Sequence, residues 1–282
     1  MKRVLRPKKP FYILVGTILF AFFLILPSNI TNGKAKESRQ IHPTSLPMKQ
    51  TADAEQLKKE INSLHQHNIL SATLDINHQR IEKPIYFTFD DGPTKDTPYI
   101  LDVLKKFHVK ATFFMLDGQI KKYPEIAKRV VAEGHAVGCH GVSHDIHKIY
   151  AHDGSALQEM EQCSETLKNI TNVDSSLIRV PFGSFPYLKE PHRSQLKRAH
   201  FQLWDWNVDS SDWDAKTPGQ IVQNLTPQLT RLEHMEKTPV MLFHDKAVTA
   251  HSLDKVITFT QNSGFQPISI SETMQPLQFR IR

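Results

Sequence analysis

An uninterrupted run of sixteen uncharged, almost wholly apolar residues, Phe11–Leu26, stands out first along the chain. Lys2, Arg3, Arg6, Lys8 and Lys9 precede it, and Pro27-Ser28-Asn29 ends it. Backbone amides find no water inside a bilayer, so such a run is stable there only as a helix. Its length lies just below the roughly 17–25 residues of a spanning helix and above the ~7–15 of a signal-peptide core. The cationic flank should stay in the cytoplasm and send the remainder outside. No Ala-x-Ala site follows closely, and no Cys is placed for lipid attachment. We therefore read residues 1–26 as a basic stub and uncleaved anchor, with a cleaved signal peptide as the alternative.

Residues 27–83 read as a tether. The first part mixes Pro, Asn, Ser and Lys without apolar period, and Leu57, Ile61 and Leu64 then recur at helical spacing between Asp53 and Leu70. A regular alternation follows from residue 84 to 275. β-type runs at Ile85–Phe89, Ala111–Leu116, His135–Cys139, Leu177–Val180, Phe201–Trp206, Val240–Phe243 and Phe265–Ile270 are separated by helical patterns at Thr97–Phe107, Tyr123–Glu133, Ser155–Ile170, Lys189–Ala199, Pro218–Leu232 and Ser252–Gln261. Seven strands and six helices predict an α/β domain of parallel βαβ units, closed as a barrel or doubly wound. Residues 276–282 are a short tail. In either architecture the functional groups gather at the C-terminal ends of the strands.

Composition adds exclusions. Eleven Gly, two Cys and 39% apolar residues in 282 do not fit collagen-like, disordered or disulfide-scaffold chains. Five of the net +6 charges lie in the first 26 residues, leaving +1 for the rest. A nucleic-acid partner thereby loses its main electrostatic support and is not expected. Cys139 and Cys163 are free to pair in an exported protein, but both lie in apolar-periodic segments, and buried unpaired thiols are the expectation.

The polar residues fall where the strands end. The first strand runs into Asp90-Asp91-Gly92-Pro93, the third into His140-Gly141-Val142-Ser143-His144, and the fourth into Arg179-Val180-Pro181-Phe182. The fifth leads to Asp209-Ser210-Ser211-Asp212-Trp213, and the next ends in Leu242-Phe243-His244. Singly, each has a plain explanation: Asp-Gly-Pro is turn chemistry, His pairs arise by chance among fifteen His, and Arg179 or Trp213 suits a core. None of these explains why all five fall at the same ends. One carboxylate with two imidazoles makes an open ligand set for catalytic Zn²⁺ or a similar divalent ion. The second carboxylate is left to accept a proton, Arg179 to hold it, and His244 backed by Asp212 to return one. That set suits metal-assisted hydrolysis of an acyl bond.

These five segments, in this order, resemble the motif set of the polysaccharide deacetylase family (NodB homology domain, carbohydrate esterase family 4) across about residues 84–275. The resemblance implies a distorted (β/α)7-type barrel behind the membrane-anchor helix. It also implies removal of N-acetyl groups from N-acetylglucosamine in a cell-envelope polysaccharide, peptidoglycan first. By the same resemblance Asp90 is the base, Asp91, His140 and His144 hold Zn²⁺ (or Co²⁺), Arg179 orients the base, and Asp212 tunes the acid His244. The Phe182 N–H serves the oxyanion, and Trp213 and Leu242 line the groove. The expected partners are an acetylated polysaccharide and, through the N-terminal helix, the membrane; the chain is expected to be a monomer. Two positions depart from the pattern: Gly141 stands where Ser or Thr is usual, and Phe182 where Tyr is common. An O-acetyl esterase and an inert carbohydrate-binding relative stay open as alternatives.

Overall fold

Strand β1, Pro84–Gly92, is the longest in the sheet, and its alternation sets the two layers. Successive strand residues point to opposite faces. Ile85, Phe87 and Phe89 accordingly join the main core beneath the helices, while Tyr86 packs with a second, smaller cluster on the other face. Thr88 and Asp90 share that second face. In the computed structural model, residues 83–279 are described. The expected anchor at 11–26 and the helical pattern at 53–70 lie outside them. Among the described residues no helix is long and apolar enough to cross a membrane.

The other strands are β2 (Thr112–Met115), β3 (Ala136–Cys139), β4 (Leu177–Ile178), β5 (Gln202–Leu203), β6 (Val208–Asp209), β7 (Val240–His244) and β8 (Gln266–Ile268). Every ladder is parallel, in the order β5-β4-β3-β2-β1-β7-β6, with β8 pairing the start of β1. No ladder joins β5 to β6 among the described residues, so the sheet is an open half-barrel, consistent with a distorted (β/α)7 barrel. The helices are α1 (Thr97–Lys106), α2 (Asp117–Lys122), α3 (Pro124–Ala132), α4 (Ile146–Ile149), α5 (Ser155–Thr171), α6 (His192–Arg198), α7 (Pro218–His234) and α8 (Ala247–Asn262). Their starts follow local chemistry: α7, for example, opens on a Thr217–Gln220 capping box with Pro218 in the first turn.

Besides the two short helices α2 and α4, which add to the six expected, three details differ from the sequence reading. Phe201–Trp206 contracts to the two residues of β5, and an eighth strand, β6, pairs Val208 and Asp209 with Met241 and Leu242. Two residues leave too short a period to read. The helix expected from Ser252 begins five residues earlier, at Ala247. The third difference is chemical. Cys139 and Cys163 are buried, as expected, but they are paired. Their Cα atoms lie 5.9 Å apart, within the span of a disulfide. The bond ties the end of β3 to the middle of α5.

Residues beyond 268 also pack. Met274 and Leu277 lie against the cluster of Phe114, Leu177, Trp204, Val240 and Ile270. The Leu277 carbonyl accepts from the Asp205 N–H at 2.8 Å, and Phe279 meets Trp206 edge-on.

The cross-link closes a loop of 24 residues, for which chain entropy gives about 3 kcal/mol. Cys163→Ser is therefore expected to lower the urea-unfolding free energy by about that amount relative to the oxidised wild type, and reductant should bring the wild type to the same value. A variant as stable as the oxidised protein would show that the bond is absent.

Candidate active site

Two adjacent strand residues cannot normally face one point, yet Asp90 and Asp91 do. The register between β1 and β2 breaks between Asp90 and Gly92, and Asp91 sits in the left-handed region with φ 71°. A bulge of this kind re-aims one side chain. Asp90 keeps the inward direction of Thr88, and Asp91 swings beside it. Gly92 follows because a Cβ there would run into the Asp245 carboxylate, which accepts from Thr97 and Thr94. Burial raises the Asp245 carboxyl to about 6 against those hydrogen bonds.

Arg179 is fully buried and organises the inner face. Its guanidinium donates to Asp90 Oδ1 at 2.9 Å, Thr88 Oγ1 at 2.6 Å, and the Trp204 and Asp205 carbonyls at 3.0 Å each. It also lies over the Phe114 ring. A buried cation is tolerable only when paired and hydrogen-bonded, and this one meets both conditions. Its carbonyl takes the Nδ1–H of His140 at 2.7 Å. That bond leaves Nε2 as the free nitrogen, the arrangement usual for a metal-ligating imidazole. Burial pulls the His140 pKa down against the neighbouring carboxylates, which favours the neutral ring.

Asp91, His140 and His144 converge. Asp91 Oδ1 lies 3.6 Å from His140 Nε2 and 3.3 Å from His144 Nε2, and one donor atom from each residue fits within 4.8 Å of the others. Asp91 Oδ1 is buried without a hydrogen-bond partner. An orphaned carboxylate oxygen facing two imidazole nitrogens fits a divalent cation, and the donor types suit zinc. Asp90 Oδ2 stands 3.8 Å from His140 Nε2, adjacent to the triad and tied to Arg179 instead.

On the opposite wall His244 ends β7. Its Nδ1 meets Asp212 Oδ1 at 2.7 Å, and its backbone N–H donates to Asp212 Oδ2 at 2.6 Å. Thr249 adds a hydroxyl to the same oxygen. Burial opposes charge on both side chains. The Asp212 bond, with the Asp90 and Asp91 charges, nonetheless raises the His244 pKa above 6.5, and the His244 bond holds Asp212 below 3.8. These are two sides of one interaction. It contributes fully above the ordinary carboxylate value and below the ordinary imidazole value. It fades as acid titrates Asp212 or as base removes the His244 proton.

Phe182, Trp213 and Leu242 all line the same cleft, of about 510 Å³, with Asp90, Asp91, His140, His144 and His244. Phe182 is left-handed at φ 65°, its ring rests 4.8 Å from His144, and no acceptor among the described residues takes its N–H. Leu242 is almost wholly covered, and Trp213 is 60% exposed. The structure thus brings together every residue singled out in the sequence. Three further lining residues escaped that reading, Tyr187, Trp206 and Lys246, and Asp209, quoted in the fifth segment without a role, lines the cleft too. So did Thr88, which lies two residues before Asp90 on the same strand face, and Asp205. The buried Asp205 carboxylate takes the Ser184 N–H and hydroxyl and the Phe279 N–H, which ties the Phe182 loop to the C-terminal segment.

Comparison with known proteins places the chain among relatives of one family. The family model described as polysaccharide deacetylase matches residues 77–204. YheN of Bacillus subtilis, which carries a polysaccharide deacetylase name, is 36% identical over 228 residues, covering 79% of this chain and 80% of YheN. A peptidoglycan-N-acetylglucosamine deacetylase of Bacillus cereus is 32% identical over 87% of this chain and 85% of its own length. The crystal structure of the polysaccharide deacetylase Bc1974 from Bacillus cereus aligns with a TM-score of 0.66 at 33% identity, covering 70% of this chain and 97% of that one.

The His244–Asp212 bond yields a direct prediction. By NMR titration of the imidazole, wild-type His244 should titrate above 6.5. In Asp212→Asn it should titrate lower than in the wild type, because only the Asp90 and Asp91 charges then oppose burial. An unchanged titration would mean that Asp212 does not set it.

Proposed function

This chain belongs to the polysaccharide deacetylase family (NodB homology, carbohydrate esterase family 4) and is a hydrolase of acetyl-amide bonds; from that premise we propose that it removes N-acetyl groups from N-acetylglucosamine residues of peptidoglycan. The observation that carries the assignment of roles is the division of the two neighbouring carboxylates. Asp91 faces His140 and His144, while Asp90 is held by Arg179 beside them.

In this reading Asp91, His140 and His144 hold Zn²⁺ or Co²⁺. When bound, the ion supplies Lewis acidity, which polarises the amide carbonyl and makes water acidic near neutral pH. Asp90 takes the proton of the attacking water, and Arg179 keeps its carboxylate aimed. The Phe182 N–H donates to the oxygen on which negative charge develops. His244, whose protonated form Asp212 favours, hands a proton to the departing amine nitrogen, which leaves the sugar with a free amino group and releases acetate. Leu242 walls the acetyl methyl, and Trp213 offers an exposed indole to a sugar ring, as aromatic side chains with one wet edge commonly do.

The domain works outside the cytoplasm in this account, tethered by Phe11–Leu26 as a single-pass anchor. The basic flank before that run supports the orientation. The Cys139–Cys163 disulfide supports an oxidising compartment.

Acetate release from purified protein on peptidoglycan, with and without chelator, tests the assignment. Asp90→Asn is expected to lose at least 100-fold in turnover, in the range of general-base catalysis, while retaining zinc. Asp91→Asn is expected to lose both. Equal zinc loss in the two variants would contradict the division of labour, and a zinc-loaded wild type that releases no acetate would remove the proposed activity.

A further inference from the structure

The two histidines of the triad are positioned very differently. The His140 ring is fixed by its bond to the Arg179 carbonyl, and its backbone N–H reaches the Met115 carbonyl at 2.7 Å. No hydrogen bond holds the His144 ring among the described residues. It meets Asp91, the His140 ring at 5.3 Å and the exposed Phe182 face, and its backbone is left-handed at φ 46°. Where that imidazole stands is therefore decided by the turn that delivers it, residues 141–143.

That turn closes on one side chain. Glu159 Oε2 accepts from the N–H groups of Val142 at 2.9 Å and Ser143 at 3.0 Å, and Oε1 accepts from Ser143 Oγ at 2.5 Å. Three donors on one ionised carboxylate make a strong, directional clamp, since hydrogen bonds to charged groups exceed neutral ones by about twofold. The Gly141 carbonyl is taken by the Asp117 N–H at 3.0 Å. Gly141 itself is left-handed at φ 93°, and a Cβ there would stand 3.1 Å from Glu159 Oε2 and 3.4 Å from Met160 Cε. The glycine thus gives the carboxylate room to reach the backbone. Glu159 lies four residues before Cys163 on α5, and side chains at that spacing share a helix face. One face of α5 therefore grips the chain on both sides of His140, by the disulfide at Cys139 and by the Glu159 carboxylate at Val142 and Ser143.

We propose that Glu159 is a positioning residue for the cation site: it fixes the 141–143 turn so that His144 meets Asp91 and His140 at one point. The proposal rests on those three residues holding the ion, as in the function proposed above. Glu159 touches neither substrate nor ion and acts only through the turn.

Zinc affinity, measured by competition with a chromophoric chelator, tests this without substrate. Glu159→Ala is expected to weaken zinc at least tenfold and to speed amide hydrogen exchange at Val142 and Ser143 in the metal-free protein. Glu159→Gln keeps an acceptor oxygen for the two N–H groups and an amide that Ser143 Oγ can accept from, so it should recover most of the affinity. Gly141→Ser should cost more zinc affinity with Glu159 present than in the Glu159→Ala background, because only the former carries the close approach. Leu167→Ala, a core truncation two turns further along α5, serves as a destabilised control that should hold zinc like the wild type. The proposal is overturned if Glu159→Ala binds zinc as tightly as the wild type, or if Leu167→Ala loses as much. An inert wild type whose zinc is lost in Glu159→Ala would sink the deacetylase reading and leave the clamp standing. An active one whose zinc ignores Glu159 would do the reverse.

Discussion

The site depends on one broken alternation. A strand sends neighbouring side chains to opposite faces, so a pair of adjacent carboxylates serves two roles at one place only if the strand is interrupted between them. The bulge at Asp91, left-handed and followed by a glycine that admits the Asp245 carboxylate, is that interruption. A non-glycine residue in this region carries strain of order 1–3 kcal/mol and persists only where its surroundings over-determine it. Here the surroundings are β2 on one side and β7 on the other, both in register with β1 up to the bulge. The remaining geometry follows from the consequence: Asp90 points inward to Arg179, and Asp91 points to the histidines.

Arg179 converts that local break into a shared framework. Its donors reach β1 and the segment after β5, while its carbonyl orients His140 at the end of β3. Removing such a cation from a buried pair typically costs about 3–5 kcal/mol, because the partner charge is left uncompensated. The same side chain that aims the Asp90 carboxylate thus also ties β1 to the segment after β5. On the far wall, Asp212 does comparable work for His244 with two bonds, one to the ring and one to the backbone. Both walls use a buried charge to fix a titratable group, and both place it at a strand end where the backbone is leaving the sheet.

Much of this was legible in the sequence. Periodicity located seven of the eight strands, and the polar residues that follow them mark the functional end of the sheet. β6 escaped because two paired residues have no period. The disulfide escaped because burial of Cys139 and Cys163 is visible in an apolar pattern, whereas the approach of their Cα atoms across a strand–helix contact is not. Residues that act by bracing others were harder still. Glu159 shares a helix face with the buried Cys163, but nothing in the pattern shows the turn folding back over it that gives the carboxylate its three donors. Asp205 follows a strand of two residues and is explained by a segment more than seventy positions later. Gly141 reads as a departure from the family pattern until Glu159 is seen beneath it.

The central claim is that a cation sits on Asp91, His140 and His144 while Asp90 stays off it. An anomalous difference map from zinc-loaded crystals of the protein measures this directly. The account predicts a single peak within about 2.0–2.2 Å of His140 Nε2, His144 Nε2 and an Asp91 carboxylate oxygen, with Asp90 still bonded to Arg179. A peak ligated by Asp90, or one lying away from the two histidines, would contradict it.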